Sequence, residues 1–139
     1  MIPASRASRT FALAALVVPA AGFGVWALRH ADPNAAGSPF LPCLFHAFTG
    51  LYCPGCGTTR ALHALVHGDL AGMLAMNPLL PLVLVALPML VLHGLGYRLP
   101  LPARLLAVLT NPKLWLVVIP GYWVLRNLPW WPFSWLAPG

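Results

Sequence analysis

Cys43, His46, Cys53 and Cys56 fall in the array C-x2-H-x6-C-x2-C, two short pairs of soft or borderline metal ligands. A two-residue gap lets both side chains of a pair turn toward one ion, and four such ligands suit tetrahedral zinc. The glycines of the stretch CPGCG (residues 53–57) permit the tight turn this needs, and backbone amides there can donate to thiolates. The same Cys53 and Cys56 also make a redox pair: a disulfide across C-x2-C closes a small reducible loop, and Arg60 with a following helix N-terminus would stabilise a thiolate. In that reading Cys43 is the odd thiol, either resolving or buried. A third reading gives the cysteines no chemistry, because cysteine packs as a small hydrophobe and Pro-Gly makes a turn before a helix.

Further candidates follow at once. Arg60 can hold an anionic group or anchor to lipid headgroups. His63 and His67 are spaced i, i+4 and share a helix face, an arrangement that chelates metal when a third ligand is near and is otherwise a polar face. His93 is an ionisable residue deep in an apolar run, where a hydrogen-bonded partner is expected.

The chain around these residues fits lipid better than water. Of 139 residues 60% are hydrophobic and 7% charged, whereas a soluble surface is typically about a quarter charged. The formal charge of +6 comes from basic residues scattered singly, so no basic patch supports nucleic-acid binding. The expected fold is an all-α membrane protein of about three transmembrane helices, forming a single membrane domain over residues 1–139. Spans are expected at about 10–28, 78–96 and 112–128, each near the roughly 20 residues a 30 Å core requires. Pro19 and Pro88 predict bends, and Asn77 with Pro78 reads as a helix start. Trp130, Trp131 and Trp135 suit an interfacial aromatic belt.

Between the first two spans lies a Cys-containing loop with short helices, residues 29–77. Its first part, RHADPNAAGSPFLP, reads as irregular linker. From Thr58 or Thr59, as cap, a short amphipathic or re-entrant helix runs through RALHALVH; Gly68 ends it and Asp69 caps a second one. Arg6, Arg9, Arg98, Arg104 and Lys113 fall on the N-terminal side of three crossings, against Arg29, Arg60 and Arg126 on the other. The positive-inside rule then places the N-terminus in the cytoplasm and the cysteine loop outside. An uncleaved anchor is expected over a signal peptide, because the first apolar run exceeds the usual h-region.

The residues CPGCGTTRA, then GD, then NPL resemble an uncharacterised family of small bacterial integral membrane proteins, a domain of unknown function. Its signature is C-P-x-C-G-x-T-R-A ahead of a downstream Asn-Pro. The resemblance covers residues 43 to about 82 and is carried by Cys53, Pro54, Cys56, Gly57, Thr59, Arg60, Ala61, Gly68, Asn77 and Pro78. It implies a bacterial inner-membrane location and a shared site at these positions, and no reaction.

The functional expectation is a non-enzymatic membrane component. Its CPGCG loop acts as a structural or metal-binding knuckle, with zinc the fitting ion, and presents Arg60 to a lipid or protein partner, or in a homo-oligomer. The alternative is a membrane thiol/disulfide redox protein using Cys53 and Cys56. A cytoplasmic loop would favour zinc, and an outside loop a disulfide.

Overall fold

The computed structural model describes residues 6–98 and 100–138; of Arg6 and Arg9, two of the expected topology markers, only the backbone is described. Seven α-helices and a closing 3-10 turn (Phe133–Leu136) make up the fold, with no strand among the described residues. The helices are α1 (Arg6–His30), α2 (Leu44–Thr49), α3 (Thr58–Val66), α4 (Leu70–Met76), α5 (Leu80–Gly94), α6 (Ala103–Leu109) and α7 (Pro112–Leu125).

One continuous helix covers the first expected span and is longer than its apolar run. α1 has 25 residues, about 37 Å at 1.5 Å per residue, and continues through Pro19. Residues 10–30 are long and apolar enough to cross a bilayer, and only 6% of the most apolar stretch is buried within the protein. Phe11, Leu16, Val18 and Phe23 stand exposed along it. A helix apolar all round and uncovered by its own chain fits a lipid environment.

The second and third expected spans differ from the sequence reading. Each of 78–96 and 112–128 holds one helix that is shorter than the expected span. α5 is 15 residues, about 22 Å, and α7 is 14, about 21 Å, both short of a roughly 30 Å core. Each is joined to a shorter helix at a sharp angle, α4 to α5 at 90° and α6 to α7 at 58°, so the chain has one clear candidate span and up to three if each bent pair counts as one. The cause of both breaks is an Asn-Pro step. Proline disfavours helical backbone in the residue before it, and Asn77 and Asn111 are both extended there. Their side-chain oxygens accept from Leu79 N and Lys113 N and restart the chain. Pro88 and Pro120, by contrast, lie inside continuous helices.

The interior is small. Ala61, Met73 and Leu80 are buried together, with Leu62, Ala64, Leu65 and Met76 packed around them, so the core is the contact of α3 with α4 and the start of α5. The α3–α4 turn follows the sequence closely. Gly68 is left-handed (φ +80°), Asp69 N donates to Ala64 O at 2.9 Å, and the Asp69 carboxylate caps α4 through Gly72 N at 2.8 Å. At the front of α3 the expected threonine cap is replaced by Gly57, also left-handed at φ +80°, because the Thr58 hydroxyl is engaged with Asn77. His63 Nδ1 donates to Leu28 O at 2.8 Å and fastens the end of α1 to α3.

Candidate metal centre

Three loop cysteines meet at one point. Cys43 precedes α2, while Cys53 and Cys56 flank the turn before α3. The Cys53–Cys43 and Cys53–Cys56 sulfur separations are 3.5 and 3.3 Å, and all three Sγ atoms lie within 4.8 Å of one another. Three thiolates at about 2.3 Å from one tetrahedral ion would sit about 3.8 Å apart, close to this spacing. The cysteines are free thiols. The turn itself is built by Cys56 N donating to Cys53 O at 3.0 Å and Thr58 N to Gly55 O at 3.1 Å, and Cys53 N donates to the Cys56 sulfur at 3.1 Å.

The expected fourth ligand is elsewhere. Neither ring nitrogen of His46 lies within 4.8 Å of all three sulfurs. Its ring is stacked on Tyr52 at 4.5 Å with the planes 10° apart, and Nδ1 is buried without a hydrogen-bond partner. Aromatic stacking across the loop therefore governs the position of this histidine. His63 and His67 are close, with ring centroids 4.3 Å apart, but each Nδ1 donates to a carbonyl, of Leu28 and of His63. The Nε2 of His63 is 3.9 Å from Asp32 Oδ1, and among the described residues these histidines form no ligand cluster. His93 is exposed in the last turn of α5.

The residues that hold the knuckle come from far along the chain. Arg126, just past α7, is 1% exposed. Its Nη1 donates to the carbonyls of Cys53 (2.9 Å) and Pro54 (3.1 Å), its Nη2 to that of Cys56 (3.1 Å), and the guanidinium lies 5.0 Å from the Tyr122 ring centre. One planar fork thus satisfies three carbonyls of a single turn. Asn127 reads the Tyr52 backbone from both sides, accepting from its N–H and donating to its C=O, each at 2.8 Å. Asn77, also buried, donates to Pro54 O and Thr58 Oγ1 and accepts from the Tyr122 hydroxyl at 3.1 Å. The sequence reading used Arg126 only as a topology marker, and Asn77 as a helix start and as one of the positions that carry the family resemblance. A polar residue at the end of an apolar run was the available signal, and its partner, some 70 residues upstream, was not.

The electrostatics separate the thiols. Burial, with hydrogen bonding to Cys43 and Cys53, pushes the Cys56 thiol up to about 12. The backbone amide of His46 beside Cys43 lowers that thiol below the ordinary value. The chain holds two acidic residues. Asp32 is turned to Asn34 and His63, Asp69 caps α4, and among the described residues no carboxylate reaches Arg126. An interior guanidinium without a carboxylate is costly unless other negative charge is near, and a metal held by three thiolates would supply it.

Beside the knuckle lies a cavity of about 520 Å³, lined among others by Cys43, His46, Cys56, Thr58, Thr59 and Arg60. Arg60, in the first turn of α3, is exposed and makes no hydrogen bond or ion pair with the described residues.

Residues 43–91 match the family model described as Protein of unknown function (DUF2752). The DUF2752 segment starts at Cys43, as the sequence resemblance does, and continues through most of α5. It contains the three cysteines, Arg60 and Asn77, while α1, Arg126 and Asn127 lie outside it. No curated protein and no solved structure gives a significant match.

Proposed function

We infer that this is a small integral membrane protein whose cysteine knuckle binds a metal ion, zinc being the natural choice for three thiolates. The metal ties the loop to the helix ends so that Arg60 is presented to an anionic lipid or protein partner, without catalysis. One observation carries the reading: three sulfurs within 4.8 Å of one another, beside a buried arginine that has no carboxylate partner among the described residues. A lone pair of cysteines would need neither the third sulfur nor the buried cation.

The thiol/disulfide alternative draws support from the 3.3 Å separation of the Cys53 and Cys56 sulfurs. The raised Cys56 thiol bears on both readings alike, since thiol exchange and metal binding each need its thiolate. The topology with the N-terminus in the cytoplasm and the loop outside is retained from the basic-residue count, and by placing the thiols in an oxidising compartment it weighs toward the disulfide alternative. It is checked by membrane-impermeant labelling of a reporter cysteine at Ala35 in a Cys43→Ser background.

The deciding experiment is a thiol and metal census on detergent-purified protein, by elemental analysis with alkylation before and after chelation and reduction. The metal reading expects near-stoichiometric metal and alkylation blocked until chelation. A metal-free protein with a reducible Cys53–Cys56 bond would replace it with the redox reading.

A further inference from the structure

We propose that the metal held by Cys43, Cys53 and Cys56 keeps its fourth coordination position open to the cavity beside α3, where it takes a small exchangeable anion that Arg60 steadies. The inference rests on the metal-binding reading above and goes beyond it, because a purely structural zinc site is closed by four protein ligands, whereas three ligands and an accessible position mark a site that binds something else.

Ligand supply is the first argument. The chain contains three cysteines, all used, and among the described residues no histidine or carboxylate joins them. Space is the second. The cavity that Cys43 and Cys56 line measures about 520 Å³, against about 30 Å³ for one water, and falls in the range of small-ligand pockets. Charge is the third. A divalent ion with three thiolates carries one net negative charge, which Arg126 balances from its buried seat on the knuckle carbonyls. Arg60 is then the one cation of this neighbourhood whose side chain has no partner among the described residues, so one added negative charge makes the site neutral. Its residue also sits in the first turn of α3, where the helix end favours an anion. The ligand class that follows is a monoanion able to bond the metal through one atom and accept from a guanidinium, with a free anion or a lipid phosphate as source.

The test uses full-length protein loaded with Co(II) in detergent, reading the visible ligand-field bands. Azide is the anionic probe and imidazole the neutral one, with Arg60→Gln as the variant; Arg60 is exposed, so this variant is expected to fold. The expected result is a saturable band shift with each probe, and roughly tenfold weaker azide binding in Arg60→Gln with imidazole binding within about twofold of the parent. Three results overturn the inference: no shift with either probe; a probe-free spectrum altered by His46→Ala, which would mean that His46 closes the site; or an Arg60→Gln effect that is absent or equal for the two probes. If Co(II) does not bind at all, the metal reading itself falls, a separate failure. Repeating the azide titration in nanodiscs assigns the source. A response suppressed by phosphatidylglycerol but not by phosphatidylcholine identifies a lipid phosphate as the occupant, and equal responses identify a free anion.

Discussion

Arg126 donates from Nη2 to the carbonyl oxygen of Cys56 at 3.1 Å, across 70 residues of sequence. The bond joins the end of α7 to the turn before α3, and with the two bonds from Nη1 it leaves no carbonyl of Cys53, Pro54 or Cys56 without a donor. Arg126→Met removes all three bonds while keeping much of the bulk. Cys53 O keeps Cys56 N and Pro54 O keeps the Asn77 amide, so Cys56 O is the one of the three left unmet, at a cost of about 1–3 kcal/mol. A loss of that order is expected, seen as a drop in Tm in detergent or in the yield of monodisperse protein. Arg126→Lys, a point charge without the fork, should recover only part. Parent-like melting of Arg126→Met would show that the clamp does not hold the loop.

Gly57 and Gly68 share φ +80°, yet they predict different outcomes. A Cβ on Gly57 would meet the Met76 carbonyl oxygen at 2.5 Å, whereas one on Gly68 would meet nothing within 4 Å. Gly68→Ala should therefore show backbone strain alone, about 1 kcal/mol, and Gly57→Ala that strain plus displacement of α4 from the knuckle. Thermal melts of the pair check this; equal losses would remove the argument from close approach.

Alkylation order and pH follow from the thiols. In metal-free reduced protein Cys43 should be modified first near neutral pH and Cys56 last, as read by peptide mass after timed quenching. Cys56 has its pKa raised in the fold, to about 12 against an ordinary value near 8.5. Its contribution to the stability of the metal-free fold is therefore fully present below about pH 8.5 and lost as pH rises toward 12. Metal binding must displace the same proton, so metal affinity should rise with pH. Chelator competition from pH 6 to 8 tests that sign.

The Tyr122 hydroxyl and the Asn77 side-chain oxygen are 3.1 Å apart and link α7 to the α4–α5 bend. Tyr122→Phe should cost about 1 kcal/mol, and Asn77→Ala more, since Pro54 O and Thr58 lose a donor too. The double variant should fall short of the sum, because both changes remove one shared bond. Full additivity in thermal melts would mean that the two residues act separately.

Local features of this chain were legible in its sequence. The two-residue cysteine gap, Gly68 and Asp69 act within a few residues of themselves, and the structure uses them as their chemistry suggests. Hydropathy identified α1, whose apolar run has no competing break. For 78–96 and 112–128 it found the apolar helices α5 and α7 but set their ends too wide, and it does not register that the Asn-Pro steps at their starts join each at an angle to a preceding short helix, α4 or α6. His46 was placed among the ligands by spacing alone, while its position is set by Tyr52 six residues later. Arg126 and Asn127 were unreadable for a different reason: an arginine after an apolar run has the same appearance whether it meets lipid headgroups or three carbonyls of a distant turn.

The 70 residues that separate the arginine from the turn it grips also set a timetable. At about 5–20 residues per second, the ribosome reaches Arg126 roughly 4–14 s after Cys56. During that interval the three thiols exist without their clamp, open to oxidants and to any free metal. Closing the clamp over the cysteines is therefore a late act of biosynthesis, and a chain that stalls inside α7 would leave its three thiols unguarded.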